Sequence, residues 1–329
     1  MDSQFYEHLL DLIADGVYFV TRDRHITYWN GGAERITGFG AEAVLGHSCA
    51  EGILRHVNDT GRQLCVHGCP LAGVMKDGLP HEAQIYLHHR DGHRVPVTVR
   101  GQALRNPDGE IVGAVEVFSP RVANTYAGQR SVESEDQVDP VTGLPPRRLG
   151  ELHLRTLMGA VAERSTTLGV LFIDADHFKT INNTFGHKTG DDVLRMVAQS
   201  TANGLRHGDV PVRWGGEEFL VMLPGIDQDG LEATAERVRM LVENSWIQRG
   251  DAQARVTVSI GATMAVQTES TDGLVDRADR LMYASKHGGR NRVTTDAGEL
   301  TSTGDRPILG TAIPWLMPGI VDVDGFGCG

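Results

Sequence analysis

The alternation of apolar and polar positions over the first 120 residues predicts an antiparallel sheet with helices beside it. Apolar residues recur at helical spacing from Phe5 to Ala14, and two short strand-like runs follow at Gly16–Val20 and His25–Trp29. Asp-Gly dipeptides at 91–92 and 108–109 favour tight turns. These turns separate three later strand-like runs, Glu82–His88, Arg94–Leu104 and Ile111–Phe118.

The second half of the chain has a different pattern, in which polar and glycine-containing segments follow short apolar runs. Leu168–Ile173 has the length and composition of a buried strand, and Asp174 follows it directly. Val210–Trp214 and Phe219–Leu223 are strand-like runs with Gly-Gly-Glu-Glu between them. This spacing predicts a β-hairpin whose turn carries two glycines and two carboxylates.

The predicted turn has the chemistry of a nucleotide and metal site. Gly215 and Gly216 have no side chains, so their backbone can approach a phosphate closely. Magnesium takes oxygen ligands, commonly one or two carboxylates together with substrate phosphates, so Asp174 and Glu217 from adjacent strands form a plausible ligand pair. By itself the tetrapeptide is at least as typical of an ordinary hairpin turn with solvated acids.

The polar segment Asn182–Asp192 precedes a helical pattern that starts at Val193. Asp191 can act as the N-cap of that helix. A carboxylate can also accept the two adjacent N–H groups on the edge of guanine, and the amide of Asn182 can complement the neighbouring acceptors. Both roles are open from the residues alone.

Three segments of the sequence resemble the GGDEF domain of diguanylate cyclases and follow one another in the order found in that family. They are Asp174–Lys179, Asn182–Asp191 and Gly215–Phe219. The resemblance covers Asp139 to Val293 and begins at Asp139–Leu144, which is similar to the family's opening signature. Val141 stands where the family usually has Leu, and Pro146 stands where it usually has Asn. These two departures concern the docking of the domain's first helix rather than the chemistry.

The resemblance implies a role for each matched position. Asp174, Glu217 and the main-chain carbonyl of Ala175 would hold two divalent cations, Mg²⁺ or Mn²⁺, in each active site. Glu217 would also stand nearest the attacking hydroxyl as the base, with Glu218 as the second catalytic acid. The positions implied to bind the guanine and the triphosphate are Asn182, His187, Asp191, Phe178, Lys179, Gly215, Gly216, Lys286 and Arg290.

Some of these positions have a structural alternative. Ala175 departs from the family's usual branched apolar residue, but only its backbone is asked to bind a metal. His187 is at least as well explained by a structural hydrogen bond. Lys286 and Arg290 are spaced one helical turn apart near a predicted helix end, where cations also compensate the helix dipole.

The reaction that the resemblance implies is the condensation of two GTP molecules into cyclic di-GMP and two pyrophosphates. Each GTP offers its 3′-hydroxyl to the α-phosphate of the other, while the metal neutralises the charge that develops. One site holds one GTP, so two domains must face each other in a homodimer. A catalytically silent module that binds GTP or cyclic di-GMP as a receptor is the alternative. A cyclase of mixed dinucleotides is disfavoured by Asp191, because a carboxylate prefers the donor edge of guanine.

Arg206 and Asp209 lie five residues before the Gly-Gly turn. This Arg-x-x-Asp at this spacing resembles the inhibitory product-binding site of many family members, which makes cyclic di-GMP an expected inhibitor. Arg can hold a phosphate or a guanine edge in bidentate fashion, and Asp can accept hydrogen bonds from the base. The alternative is an ion pair at the end of a helix.

The first region resembles a PAS sensory domain. Its elements follow in the order typical of that fold. Two short strands come first, the segments Asn30–Phe39 and Val44–Gly46 come next, and the three later strands come last. A PAS unit before a GGDEF unit is a familiar arrangement. The PAS ligand is not identified by the sequence.

A group of cysteines and histidines in the first region provides a sensor hypothesis. Cys49, Cys65 and Cys69 lie near His47 and His67 in the sequence. Thiolate and imidazole are the ligands that zinc, copper(I) and iron–sulfur centres select, which indicates a metal or redox site. Cysteine is also a compact hydrophobe, so ordinary packing is the alternative, and haem or a diffusible ligand is open as well.

Composition and charge agree with a modular regulator. The 329 residues suffice for two domains, and a net charge of −12 with a pI near 5.6 argues against a nucleic-acid-binding surface. No run approaches the roughly 18 apolar residues that span a bilayer, so we expect a cytoplasmic protein without a membrane partner. In that compartment the cysteines are expected to be reduced.

The predicted fold class is α+β in both domains. We expect a PAS domain over residues 1–120, an antiparallel sheet with helices, and a nucleotidyl-cyclase-like mixed sheet flanked by helices over 139–295. Residues 121–138 form a linker that is either helical or flexible. Residues 296–329 contain prolines that forbid a regular helix in their apolar patch, and we expect them to be disordered or lightly docked.

Overall fold

The computed structural model describes residues 3–49, 53–121 and 138–296. The predictions for the linker and for the tail fall almost wholly outside these ranges. No helix within them is both long enough and apolar enough to cross a membrane.

The N-terminal region is built on a five-stranded antiparallel sheet in the order β2-β1-β5-β4-β3. Its strands are β1 Gly16–Thr21, β2 Ile26–Trp29, β3 His81–His88, β4 Arg94–Arg105 and β5 Ile111–Pro120. Its helices are α1 Ser3–Asp11, α2 Gly31–Thr37, α3 Ala41–Val44 and α4 Pro70–Asp77. All five predicted strands are present, and the antiparallel sheet is confirmed.

Local chemistry explains where these elements begin and end. Asn30 caps α2 by accepting from the Ala33 N–H at 2.8 Å, and the same oxygen accepts from Val17 N–H at 2.8 Å, which ties the helix to β1. The two predicted turns contain Gly92 at φ +93° and Gly109 at φ +82°, a region that glycine enters without strain.

The C-terminal region is built on a five-stranded mixed sheet in the order β12-β11-β6-β8-β7, in which only the β11–β12 pair is parallel. The strands are β6 Leu168–Ala175, β7 Val210–Arg213, β8 Glu218–Pro224, β11 Val258–Met264 and β12 Val293–Thr295. A separate hairpin consists of β9 Ile247–Arg249 and β10 Ala252–Ala254. The helices are α5 Arg147–Ala162, α6 Phe178–Phe185, α7 His187–Asn203, α8 Gln228–Glu243 and α9 Thr271–His287.

Helices cover both faces of this sheet, and the central strand β6 is buried along its whole length. Its side chains alternate between two cores, with Leu171 and Ile173 in one and Val170 and Phe172 in the other. A strand buried on both faces is continuously apolar, which is why the sequence indicated it clearly. The polar residues at its end therefore emerge at a defined edge of the sheet.

Candidate active site

The strand register brings the predicted acids to one edge of the C-terminal sheet. Asp174 at the end of β6 lies opposite Glu218 at the start of β8, and the Ala175 N–H donates to the Glu217 carbonyl at 3.2 Å. Between β7 and β8, the Trp214 N–H donates to the Glu218 carbonyl at 2.9 Å and closes the Gly-Gly turn. The predicted hairpin is therefore present, and its turn lies beside Asp174.

The electrostatics at this edge favour a cation. Burial raises the pKa of Asp174 to about 6, the nearby charges of Glu217 and Glu218 act in the same direction, and Lys286 opposes them. The Lys286 ammonium lies 2.7 Å from Asp174 Oδ2. Asp174 therefore pairs with Lys286 and lies within electrostatic range of two further carboxylates.

The residues present fit a divalent cation. Asp174 is 4% exposed, and its buried Oδ1 has no hydrogen-bond partner among the described residues. A buried carboxylate oxygen without a partner is costly, and a bound cation removes that cost. Together with the half-buried Glu217 and the backbone of Ala175, it forms the hard oxygen set that Mg²⁺ and Mn²⁺ prefer.

Two residues that the sequence reasoning did not assign hold the Gly-Gly turn in place. Arg213 donates to the carbonyl of Gly216 at 2.6 Å and to Asp139 Oδ1 at 2.8 Å. Asp139 Oδ1 also accepts from the N–H and the hydroxyl of Thr142 at 2.8 Å. Burial alone would raise the pKa of Asp139, but these hydrogen bonds hold it below its usual range. The opening signature of the domain therefore braces the turn through Arg213.

The predicted guanine side of the site lies where α6 meets α7. Gly190 packs against Asn182 so closely that a Cβ at position 190 would collide with the side-chain oxygen. Within the described part of the chain this buried Asn182 Oδ1 has no hydrogen-bond partner, whereas His187 and Asp191 are exposed to solvent. Because α7 begins at His187, Asp191 lies inside the helix, and its alternative role as an N-cap is wrong.

The residues predicted to bind the triphosphate differ in their exposure and in the elements that carry them. Phe178 is 7% exposed and belongs to the core, so only its backbone is available to a ligand, while Lys179 is exposed. Lys286 lies in the last turn of α9, whereas Arg290 follows the helix at φ +64°. The two basic residues are therefore not on consecutive turns of one helix, as their spacing suggested.

Asp176 is a further buried acid near the site that the sequence did not distinguish from Asp174. It accepts from Ser259 and Thr257 hydroxyls, each at 2.7 Å, and from the Asn291 N–H at 3.1 Å. Its oxygens are thus occupied by protein donors. Asp176 anchors the segment after α9, which carries Arg290, to the sheet.

Family models match both regions of the sequence. Residues 4–121 match the PAS fold, and residues 136–292 match the model described as diguanylate cyclase, GGDEF domain. The chain is a PAS–GGDEF protein. The order of the two domains and the α+β class predicted from the sequence are confirmed.

Known proteins with similar sequences include proteins named as diguanylate cyclases. Over 149 residues, the chain is 42% identical to "Diguanylate cyclase A" of Treponema denticola, an alignment that covers 45% of this chain and 40% of that protein. It is 29% identical over 311 residues to "Probable diguanylate cyclase DgcE" of Escherichia coli, covering 94% of this chain and 28% of that protein. The chain therefore spans less than half the length of either relative.

Solved structures with a similar C-terminal region include the GGDEF domain of DgcB from Caulobacter crescentus in complex with c-di-GMP. That chain is 34% identical, the superposition covers 50% of this PAS–GGDEF chain and 97% of that chain, and the TM-score is 0.48.

Arg206 and Asp209 of the PAS–GGDEF chain lie together after α7. The Arg206 N–H and side chain donate to the two Asp209 oxygens at 3.0 and 3.2 Å, and Arg206 Nη2 donates to the Pro224 carbonyl at 2.6 Å. Asp209 is 2% exposed, while half of the Arg206 side chain faces solvent. The pair is thus present as an ion pair with an accessible guanidinium, and the inhibitory site stays a prediction.

The PAS cysteines occupy different environments. Cys49 is buried in the core, whereas Cys65 and Cys69 line an open pocket of about 830 Å³ together with Arg24, and His47 and His67 are exposed. No three His, Cys, Asp or Glu side chains within the described ranges lie close enough to hold a metal ion. Burial raises the pKa of Cys65 to about 11. The cysteine hypothesis stays a prediction without an assembled ligand set.

A buried polar cluster lies next to these thiols. The Tyr18 hydroxyl donates to Glu116 Oε1 at 2.9 Å, and His56 Nε2 lies 3.8 Å from the same oxygen. The His56 N–H donates to Cys65 Sγ at 3.3 Å. Burial raises the pKa of Glu116 to about 7 against the opposing effect of Tyr18, and burial lowers that of His56 to about 4.

Glu116 and His56 act in opposite directions on the stability of the PAS domain as the pH rises. His56, whose pKa burial lowers to about 4, adds stability up to about pH 6.5, whereas Glu116 is expected to remove stability as the pH rises from about 4.5 to 7. The folded state holds this proton more tightly than the unfolded state, whose pKa is near the ordinary value of 4.5, so folding is favoured below this window. Glu116→Gln should remove the loss, so that stability rises more steeply with pH than in the parent, and it should stabilise the domain at pH 8 by up to about 3 kcal/mol. Amide exchange of β1 and β5 at pH 5 and 8 measures this, with the exposed Glu110→Gln as control. A parent-like pH profile in Glu116→Gln would contradict it.

Proposed function

We propose that this protein is a diguanylate cyclase that condenses two GTP into cyclic di-GMP and two pyrophosphates. The observation that carries the proposal is the meeting of Asp174 with the Glu217–Glu218 turn, where a buried oxygen lacks a partner and a lysine stands at 2.7 Å. Such a cluster suits the binding of a metal with a polyphosphate. The match of residues 136–292 to the diguanylate cyclase family model supports the same chemistry.

The chain's own residues divide the work of the reaction. The Gly215–Gly216 turn offers backbone without side chains to the phosphates, and Arg213 holds its carbonyl in place. Lys286 and Arg290 supply positive charge beside the acids. Asn182 and Asp191 select guanine, because its edge presents adjacent N–H donors to a carboxylate. Together these contacts orient one GTP at each site.

The bond changes follow from this placement. The 3′-oxygen of one GTP forms a bond to the α-phosphorus of the other, the α–β phosphoanhydride bond breaks, and pyrophosphate leaves. Glu217 accepts the proton of the 3′-hydroxyl and passes it to solvent. When bound at Asp174 and Glu217, Mg²⁺ or Mn²⁺ neutralises the negative charge that develops on the phosphates. The second condensation closes the ring by the same steps.

The reaction requires a homodimer, because one site orients one GTP. Two GGDEF domains must therefore present their nucleotides to each other, and the rate per chain should rise with protein concentration below the dissociation constant of the dimer. Positioning then supplies much of the rate enhancement, as it does for other oriented reactants.

The direct test is turnover by the purified full chain. With GTP and Mg²⁺, mass spectrometry should detect one cyclic di-GMP for every two pyrophosphates, and EDTA should abolish both. ATP in place of GTP should give no cyclic product. Tight binding of GTP or cyclic di-GMP without turnover would instead establish a receptor.

Product inhibition is expected to depend on Arg206, whose guanidinium is accessible beside the buried Asp209. Arg206→Ala should raise the inhibition constant for cyclic di-GMP by about tenfold or more, because a bidentate charged contact is lost. The effect on the initial rate should be much smaller. Progress curves with added product measure both quantities, with the exposed Arg155→Ala as control. If parent and mutant slow identically as product accumulates, Arg206 is only half of a structural ion pair.

A further inference from the structure

The PAS domain contacts the GGDEF domain directly at the C-terminal ends of α7 and α8. Val57 and Tyr86 of the PAS domain form a buried apolar cluster with Leu241 of α8. Gly61 packs so closely on Met240 that a Cβ at position 61 would collide with its side chain. This docking surface lies far from the acid cluster, since the 17-residue α7 separates its Asn203 end from the guanine-side residues.

Arg94 is the polar centre of the docking surface and is 1% exposed. It donates from Nε to the Asn244 carbonyl at 3.0 Å and from Nη1 to the Arg55 carbonyl at 2.5 Å. Its own carbonyl accepts from Asn203 Nδ2 at 2.7 Å. A buried guanidinium with these partners joins α7, α8 and the PAS domain in one hydrogen-bond network.

Trp246, which follows α8, is held by residues of the PAS domain. The His88 ring stacks on it with centroids 3.6 Å apart and planes 10° apart, and the Arg55 guanidinium lies 4.6 Å from its centroid. The Trp246 N–H donates to the Gly92 carbonyl at 3.3 Å. Stacking and cation–π contacts of this kind fix the ring and its backbone.

Residues 246–257, which we call the bridging hairpin, continue from this ring toward the candidate active site. Three residues after Trp246, Arg249 donates to Asp192 Oδ2 and to the Thr189 hydroxyl, the latter at 3.3 Å. Thr189 and Asp192 flank the guanine-side residue Asp191 on α7. Arg249 therefore holds the beginning of the guanine-reading helix from outside that helix.

The other end of the bridging hairpin also reaches the site. The Arg255 guanidinium lies 4.9 Å from the Trp246 centroid, and two residues later Thr257 binds Asp176 through both its hydroxyl and its carbonyl. Asp176 is two residues from Asp174. The bridging hairpin thus begins at the PAS-bound tryptophan and contacts residues that neighbour Asp174 and Asp191 in the sequence.

We propose that Arg249 is a positioning residue for GTP, and that the PAS domain sets GTP affinity through the bridging hairpin that carries it. The choice of GTP as the ligand rests on the proposed function. The contacts of Arg249 and Trp246 do not depend on that function. When the PAS domain holds Trp246, Arg249 keeps Asp191 in place for guanine. When that contact loosens, the hairpin and the start of α7 become mobile and GTP binds more weakly.

Arg195 provides a matched control. It donates to the other oxygen of Asp192 at 2.6 Å, but from within α7 itself. Loss of Arg195 removes a similar charge from Asp192 without cutting the connection to the bridging hairpin. A comparison of the Arg195 and Arg249 variants therefore distinguishes the effect of charge near Asp192 from the effect of positioning by the bridging hairpin.

The test measures the binding of 3′-deoxy-GTP with Mg²⁺, a probe that lacks the attacking hydroxyl, to the full chain by calorimetry. Arg249→Gln should weaken binding roughly tenfold, as expected for one lost charged hydrogen bond. Arg195→Gln should stay within about twofold of the parent. Trp246→Leu should weaken binding severalfold, and the double variant Trp246→Leu with Arg249→Gln should be no weaker than Arg249→Gln alone.

Equal effects of Arg249→Gln and Arg195→Gln, or full additivity of the Trp246 and Arg249 changes, would overturn the proposal. Hydrogen exchange of the first two turns of α7 in the absence of nucleotide provides a second readout, which should rise in Arg249→Gln and Trp246→Leu but not in Arg195→Gln. If the parent binds no 3′-deoxy-GTP, the proposed function fails, and the exchange measurement decides the positioning role by itself. Unchanged exchange in Arg249→Gln would then overturn it.

Discussion

Replacement of Glu217 by glutamine is expected to lower the initial rate of cyclic di-GMP formation by about a thousandfold or more. The amide keeps the shape of the side chain but removes the charge that both metal binding and proton acceptance require. Glu217 is half-buried in the turn beside Asp174, so the change leaves the core intact. Initial rates at saturating GTP and Mg²⁺, followed by mass spectrometry, measure the loss.

The exposed Glu232→Gln on α8 is the control, and its rate should match the parent. The thermal unfolding of Glu217→Gln should also match the parent, because no buried contact is lost. Parent-like turnover in a folded Glu217→Gln protein would remove the active-site assignment, since the charge of Glu217 would then have no part in the reaction.

Arg213→Met is expected to lower kcat/KM by about a hundredfold without touching a reacting group. Arg213 links the Gly216 carbonyl to Asp139, so its loss frees the turn that carries Glu217. A shift of about 1 Å in a catalytic group costs a factor of this size. Steady-state rates across GTP concentrations measure the change.

Arg213→Lys distinguishes geometry from charge. Lysine keeps the positive charge near Asp139 but lacks the planar guanidinium that reaches both partners. The kcat/KM of Arg213→Lys should therefore stay low, while its thermal stability should be closer to that of the parent than the stability of Arg213→Met is. Arg147→Met is the control, because Arg147 lies over Trp214 and pairs with Glu151 without bonding the turn. Full rescue by lysine would show that Arg213 acts through charge alone.

The turn that carries Glu217 and the start of α7 share one structural feature. The acid and guanine residues lie at the ends of short elements, and each is held by an arginine from another part of the chain, Arg213 for the turn and Arg249 for α7. Such outside contacts limit the motion of groups whose placement determines the rate.

Much of the site was predictable because its signals are local. The continuous apolar run of β6 predicted a buried strand, and the Gly-Gly pair between two strand-like runs predicted the hairpin. The helical start at Asp191 was wrong, because α7 begins four residues earlier at His187, where Gly186 at φ +83° allows the chain to turn. The roles of Asp139, Arg213 and Arg249 were missed, since each depends on a partner far away in the sequence.

The sequence by itself determined the α+β class, the order of the two domains and the identity of the acids, because hydrophobic periodicity and turn chemistry depend on neighbouring residues. Only the tertiary structure decided that one oxygen of Asp174 has no partner in the described ranges, while Asp176 accepts hydrogen bonds from Ser259 and Thr257. It also decided that the PAS domain holds Trp246 and, through the bridging hairpin, Arg249. Such contacts arise when distant segments are packed together, and the periodicity of one segment carries no information about which surface will cover it.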